Sequence, residues 1–94
     1  HIADPVGSAI AAQGLTRVGL LGTAFTMEQP FLRNRLAQRH GLEVIVPEAA
    51  DRQDVHRIIY DELVRGIVTE ESRATYRAIM ARLAAAGAQA IILG

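Results

Sequence analysis

The sequence predicts an α/β fold, three layers deep, with a short parallel sheet held between helices. Two observations carry this. Apolar runs of four or five residues alternate with segments whose apolar positions recur at helical spacing. Uninterrupted apolar runs mark strands covered on both faces, the condition a parallel sheet requires. The element order reads α-β-α-β-α-α-β, and right-handed crossovers make 2-1-3 the expected strand order.

Each element has its own signals. Asp4-Pro5 reads as an N-cap followed by proline at the first helical position, with Val6, Ala9, Ile10 and Gln13 at helical spacing and Gly14 as the stop. Arg17-Val18-Gly19-Leu20-Leu21 is the first strand. Gly22 to Thr26 is expected as a loop, with a helix running on to His40-Gly41 and a core stripe of Phe31, Leu32 and Leu36. Pro30 confines that helix's start, because proline is tolerated only in a first turn. Glu43-Val44-Ile45-Val46 is the second strand, closed by Pro47. Asp51 is expected to cap a helix carrying Val55, Ile58, Ile59, Leu63 and Val64 and ended by Gly66. Thr69 caps the last helix, with Ala74, Ile79, Met80 and Leu83 inward and Glu70 and Glu71 at the positive end of its dipole. Gly87 closes it, and Ala90-Ile91-Ile92-Leu93 is the third strand.

Composition narrows the function. The chain has 94 residues, zero formal net charge, ten arginines, no lysine and no cysteine. Neutral charge gives no electrostatic footprint for nucleic acid or an acidic membrane. Without cysteine there is no disulfide, zinc–thiolate site or thiol nucleophile within these residues. Phe25, Phe31, Tyr60 and Tyr76 are too few for a base-stacking platform. No apolar stretch approaches the roughly 20 residues of a membrane span, and a cytoplasmic setting is the expectation. The chain starts without Met and ends on the apolar Ile91-Ile92-Leu93-Gly94, which reads as a piece of a longer protein, one α/β lobe over residues 1–94.

The loop after the first strand is the most informative place, since open α/β sheets bind ligands beyond the carboxyl ends of their strands. Thr23 and Thr26 each offer a hydroxyl there, and the following helix offers backbone N–H groups to an anion. The plain alternative is that Thr26 only caps the helix, paired with Gln29 in a capping box. Gly19 and Gly22 do not make a dinucleotide loop: the G-x-G-x-x-G spacing is absent and Pro47 stands where an acidic residue would follow. A P-loop needs a lysine. His1, His40 and His56 are scattered: His40 suits a helix C-terminus, where a cation complements the dipole, and His56 sits beside Val55 without ligand-like spacing to another donor. No metal or other cofactor is expected. Asp54, Asp61, Glu62, Glu70 and Glu71 read as solvated faces or partners of nearby arginines.

Five segments carry a resemblance that spans the chain: His1-Ile2-Ala3-Asp4; Arg17 to Thr23 with Phe25-Thr26-Met27-Glu28-Gln29; Val44-Ile45-Val46-Pro47; Ile58 to Leu63; and Gly87 to Gly94. The sequence resembles the aspartate/glutamate racemase family of cofactor-independent amino-acid racemases. The Gly-Thr-x-Phe-Thr-Met-Glu-Gln run is its most specific part. The resemblance implies two similar α/β lobes closing on a cleft, of which this chain looks like the second. It also implies one cysteine from each lobe, the second in a Gly-Cys-Thr-Glu motif directly after Gly94, so both thiols fall outside these residues. Thr23 and Thr26 match a family Thr-x-x-Thr pair that lines the substrate pocket.

What the resemblance implies chemically is inversion by proton removal on one face of a carbon and proton return on the other, with one group as base and its opposite as acid. The implied partners are a small amino-acid substrate, the first lobe of the same chain and a possible second copy in a homodimer. The chain alone is expected to be inactive. Some members carry a lysine in the helix after the second strand that meets a substrate carboxylate; here Arg52, Gln53 and Asp54 stand in that stretch. Either Arg52 replaces it as a bidentate donor or the substrate is not aspartate, and the position leaves side-chain specificity open. A related two-cysteine enzyme, of the hydantoin racemase or arylmalonate decarboxylase type, and a non-enzymatic ligand-binding lobe are the alternatives.

Overall fold

A computed structural model describes residues 3–94; the part of the resemblance resting on His1 and Ile2 lies outside the described residues. Eight regular elements follow in order: α1 (Ala3–Ala12), β1 (Arg17–Leu21), α2 (Ala24–Glu28), α3 (Pro30–His40), β2 (Glu43–Ile45), α4 (Ala49–Asp61), α5 (Glu70–Ala85) and β3 (Ala90–Leu93), with a short 3₁₀ turn at Leu63–Arg65. The sheet is parallel, in the order β2-β1-β3. Val18 pairs with Val44 on one side and Ala90 on the other, and Leu21 pairs with Leu93.

Alternation along β1 sends its side chains to two cores. Val18 packs with Ala3, Leu36 and Leu42, under α1 and α3. Leu21 packs with Met27, Val55, Ile79 and Leu83, under α2, α4 and α5. Gly19 is on this second face because the helix comes close: a Cβ there would lie 2.8 Å from Ile91 Cδ1 and 3.0 Å from Leu83 Cδ1. The sheet is thus covered on both sides, which is why β1 is apolar from Val18 to Leu21 without interruption. The three-layer α/β architecture and its strand order are those expected from the sequence.

Several local expectations are corrected. Asp4 is not the cap of α1, which already includes Ala3; it lies in the first turn, where its carboxylate accepts two hydrogen bonds from Arg35 (3.0 and 2.7 Å) and lies 3.1 Å from His40 Nε2. Arg35 first, then His40, holds that carboxyl well below the usual carboxylate range. His40 therefore ties α3 to α1 as well as standing in the last turn of α3, and its ring fills the space over Gly7, where a Cβ would fall 2.5 Å from His40 Cδ2. Phe31 is 58% exposed, so the buried stripe of α3 is Leu36 with Leu32 beside it.

Farther along, β2 ends at Ile45, one residue before the expected Val46. Helix α4 starts at Ala49, ahead of Asp51, which sits in its first turn and accepts both hydrogen bonds of an Arg82 fork (2.8 and 2.9 Å). Leu63 and Val64 fall in the 3₁₀ turn and are exposed, because α4 ends at Asp61. Ala74 faces solvent, while Ile79 and Leu83 are buried. Thr69 caps α5 as expected, accepting from the Ser72 N–H at 3.0 Å. Glu62 pairs with Arg57 at 3.8 Å, the second of the two expected readings, and also accepts from the hydroxyls of Ser72 (2.7 Å) and Thr69 (3.1 Å), so that it fastens the end of α4 to the start of α5.

Candidate substrate site

The sheet's connectivity selects where a ligand would bind. From β1 the chain leaves over one face, through α3, to β2; it returns over the other face, through α4 and α5, to β3 on the opposite side of β1. Loops that diverge this way leave a crevice at the carboxyl ends of the strands. The carboxyl end of β1 runs into Gly22 and Thr23, and that of β3 into Gly94, whose N–H donates to the Leu21 carbonyl at 2.7 Å. Gly22 has no side chain because there is no room for one: a Cβ would sit 3.1 Å from the Gly94 carbonyl oxygen and 3.2 Å from both Cβ and Cγ2 of Thr26.

Thr23 and Thr26 meet in this crevice, half-buried, with their hydroxyl oxygens 3.2 Å apart. The cap is Thr23, not Thr26. Its hydroxyl accepts the Thr26 N–H (3.3 Å), which starts α2 at Ala24 and puts Thr26 in the third helical position. The expected capping box with Gln29 does not form, because Pro30 forces Gln29 into extended backbone and separates α2 from α3. Each threonine hydroxyl has one proton and two lone pairs. One proton is spent between the two oxygens, and the other is left to donate outward.

The backbone amides offered to an anion by the sequence reading are mostly occupied. Ala24 N–H donates to His56 Nδ1 at 2.8 Å, Thr26 N–H to Thr23 Oγ1, and Met27 N–H to the Thr23 carbonyl at 3.0 Å. The site's outward donors are therefore side chains rather than a helix end.

His56 is the residue that sequence reasoning missed. It projects from α4 onto the start of α2, with its ring centroid 4.6 Å from that of Tyr60. Its spacing from other potential ligands carries no signal, since its partner is a backbone amide 32 positions away. Beside it, Met27, Glu28, Arg33, Val46 and Arg52 surround an open hollow of about 420 Å³ at the same end of the sheet. Arg52 is steered by two acceptors, Glu28 Oε2 at 3.2 Å and the Pro47 carbonyl at 2.7 Å. Arg33 Nε is buried without a hydrogen-bond partner. Asp54, also in the stretch of interest, only approaches Arg57 at 4.0 Å. Among the described residues no three His, Asp or Glu side chains gather as metal ligands, and no helix is long and apolar enough to cross a membrane.

Two solved structures share this fold. A proposed Asp/Glu racemase from Yersinia pestis superposes with a TM-score of 0.94 at 52% identity, over 100% of this chain and 41% of that one. An aspartate racemase homologue from Pyrococcus horikoshii gives 0.86 at 34% identity, over 99% of this chain and 40% of that one. The chain thus spans about two fifths of the length of these proteins. Its sequence matches the Asp/Glu/hydantoin racemase family from residue 1 to residue 94. With the sheet, the crevice and the sequence in agreement, the chain belongs to that family.

Proposed function

We propose that this chain is the second lobe of a longer, cofactor-independent racemase acting on aspartate or glutamate, with Thr23 and Thr26 against the substrate. The observation that carries the proposal is the threonine pair: two half-buried hydroxyls 3.2 Å apart at the crevice between β1 and β3, with one proton free to donate. A carboxylate accepts such a hydroxyl proton in a charge-assisted bond, which fixes the substrate's orientation. Around the neighbouring hollow, Arg33, whose Nε has no hydrogen-bond partner, stands with the Arg52–Glu28 pair and leaves one net positive charge suited to the second carboxylate of a dicarboxylic amino acid. That charge favours aspartate or glutamate over the neutral hydantoins, the alternative substrate class.

Inversion needs a base on one face of the α-carbon and an acid on the other. This chain holds no cysteine. In the proposal both thiols come from outside its 94 residues, one from the first lobe and one from the segment following β3. Closing the two lobes over the substrate excludes water and strengthens the fixed hydroxyl and guanidinium contacts. The test is racemisation by the complete protein with no cofactor added, using aspartate, glutamate and a hydantoin, beside the 94-residue chain alone. The expected result is inversion of a dicarboxylic amino acid by the complete protein and none by the lobe. Turnover of hydantoin only, or racemisation by the lobe above a buffer blank, overturns the proposal.

A further inference from the structure

We infer that His56 is a positioning residue of the substrate site: its neutral ring holds the Thr23–Thr26 turn in place by accepting the Ala24 N–H. The inference rests on the reading of the threonine pair as the substrate contact. The geometry is specific. Ala24 is the first residue of α2 and lies directly between the cap, Thr23, and the turn it closes. Its amide belongs to the orphan donors of a helix start, which have no partner within their own helix. The His56 Nδ1 acceptor, 2.8 Å away, comes from α4, 32 positions further along the chain, beyond α3 and β2. The turn that presents both hydroxyls is thus pinned at one end by β1 and at its middle by α4.

This bond fixes the ring's chemistry. A nitrogen that accepts an N–H carries no proton, so the ring is neutral with its proton on Nε2. On protonation Nδ1 becomes a donor facing the Ala24 N–H, and the bond is replaced by a repulsive contact. Histidine is the side chain whose charge changes between about pH 5 and pH 8. The ionisable neighbours are Arg52 and Tyr60, one turn away on either side along α4, and Glu28 on α2, whose carboxylate is already on Arg52. None of these supplies a second acceptor to Ala24. Protonation of the ring is therefore expected to loosen the threonine pair, and substrate binding with it.

Asparagine separates the two properties of His56. Its Oδ1 is attached to Cγ as Nδ1 is in histidine, so it keeps an acceptor at nearly the same point, but it does not titrate in this range. The experiment measures KM and kcat for the amino-acid substrate in the complete enzyme from pH 8 down to pH 5.5. It compares the wild type with His56→Ala, His56→Asn and, in parallel, Thr23→Ala. Loss of one backbone contact predicts a KM raised roughly 5- to 30-fold in His56→Ala, with kcat changed less. The wild type is expected to show KM rising on acidification. His56→Asn is expected to match it at pH 8 and to stay flat toward pH 5.5. If His56→Ala does not fold, the His56→Asn pH profile and the wild-type ring tautomer, read by nitrogen NMR, still decide. A ring with its proton on Nδ1, or the same acid rise of KM in His56→Asn, overturns the inference. A wild-type KM when His56→Ala is measured, with KM raised in Thr23→Ala, overturns it while leaving the substrate site standing. An unchanged KM in Thr23→Ala instead removes the reading on which it rests.

Discussion

Gly22→Ala tests the packing that assembles the crevice. The backbone of Gly22 is not in the left-handed region, so alanine can adopt it without torsional strain. The cost comes from contact alone. The new Cβ would lie 3.1 Å from the Gly94 carbonyl oxygen and 3.2 Å from Thr26 Cβ and Cγ2, where unstrained carbon contacts sit at about 3.5–4.0 Å. All three contacts belong to backbone or to a short branched side chain, so the end of β3 and the threonine must both retreat by a few tenths of an ångström. Overpacking of this kind costs about 1–3 kcal/mol. Replacing glycine returns about 0.4–1 kcal/mol through the less flexible unfolded chain. The net expectation is a destabilisation of about 1.3 kcal/mol, from the midpoints of those two ranges. Urea unfolding of the wild type, Gly22→Ala, Thr26→Ser and the double variant measures it. Thr26→Ser deletes the Cγ2 contact and keeps the hydroxyl. It is therefore expected to relieve the alanine, with a coupling of at least about 0.5 kcal/mol. A neutral or stabilising Gly22→Ala, or strict additivity with Thr26→Ser, would refute the close approach of β1, β3 and Thr26 on which the site is built.

Two further outcomes concern the scaffold. Met27 is fully buried between α2 and the second core, so Met27→Ala is expected to cost about 2–5 kcal/mol in urea unfolding, whereas a loss under 1 kcal/mol would contradict its role in seating α2. Asp4 has its folded-state pKa lowered by Arg35 and His40, so its contribution is present above the unfolded value of about 3.9 and is lost as pH falls below it. Asp4→Asn is expected to lower stability at neutral pH and to flatten the loss of stability below about pH 4 in acid titrations followed by circular dichroism. An acid profile as steep as the wild type's would remove this cluster from the account.

Hydrophobic runs made the sheet legible: β1 and β3 fall where the sequence sets them, and the two-sided core explains why Val18 to Leu21 is apolar throughout. Helix starts were read less well, because short polar side chains have competing uses. Asp4 and Asp51 look like caps, yet each lies inside its helix with its carboxylate on an arginine from a distant helix, a pairing that no local spacing encodes. At the site, the structure brings together the two threonines that the sequence singles out in the loop after β1, but the cap is Thr23 rather than Thr26. Thr23 reaches the free N–H first, and Pro30 then breaks the helix that Thr26 was expected to begin. His56 was invisible, since its partner is a main-chain amide and no side-chain spacing encodes it. Arg33 and Arg52 meet around one hollow only because β2 brings the start of α4 beside α2.

In the proposed function the Thr23–Thr26 pair holds the substrate. Steady-state kinetics of Thr23→Ala in the complete protein test it. Removing a hydroxyl that bonds a carboxylate is expected to raise KM roughly 10- to 100-fold, the equivalent of a charge-assisted hydrogen bond. An unchanged KM in a normally folded Thr23→Ala enzyme would contradict it and return Thr23 to a helix cap.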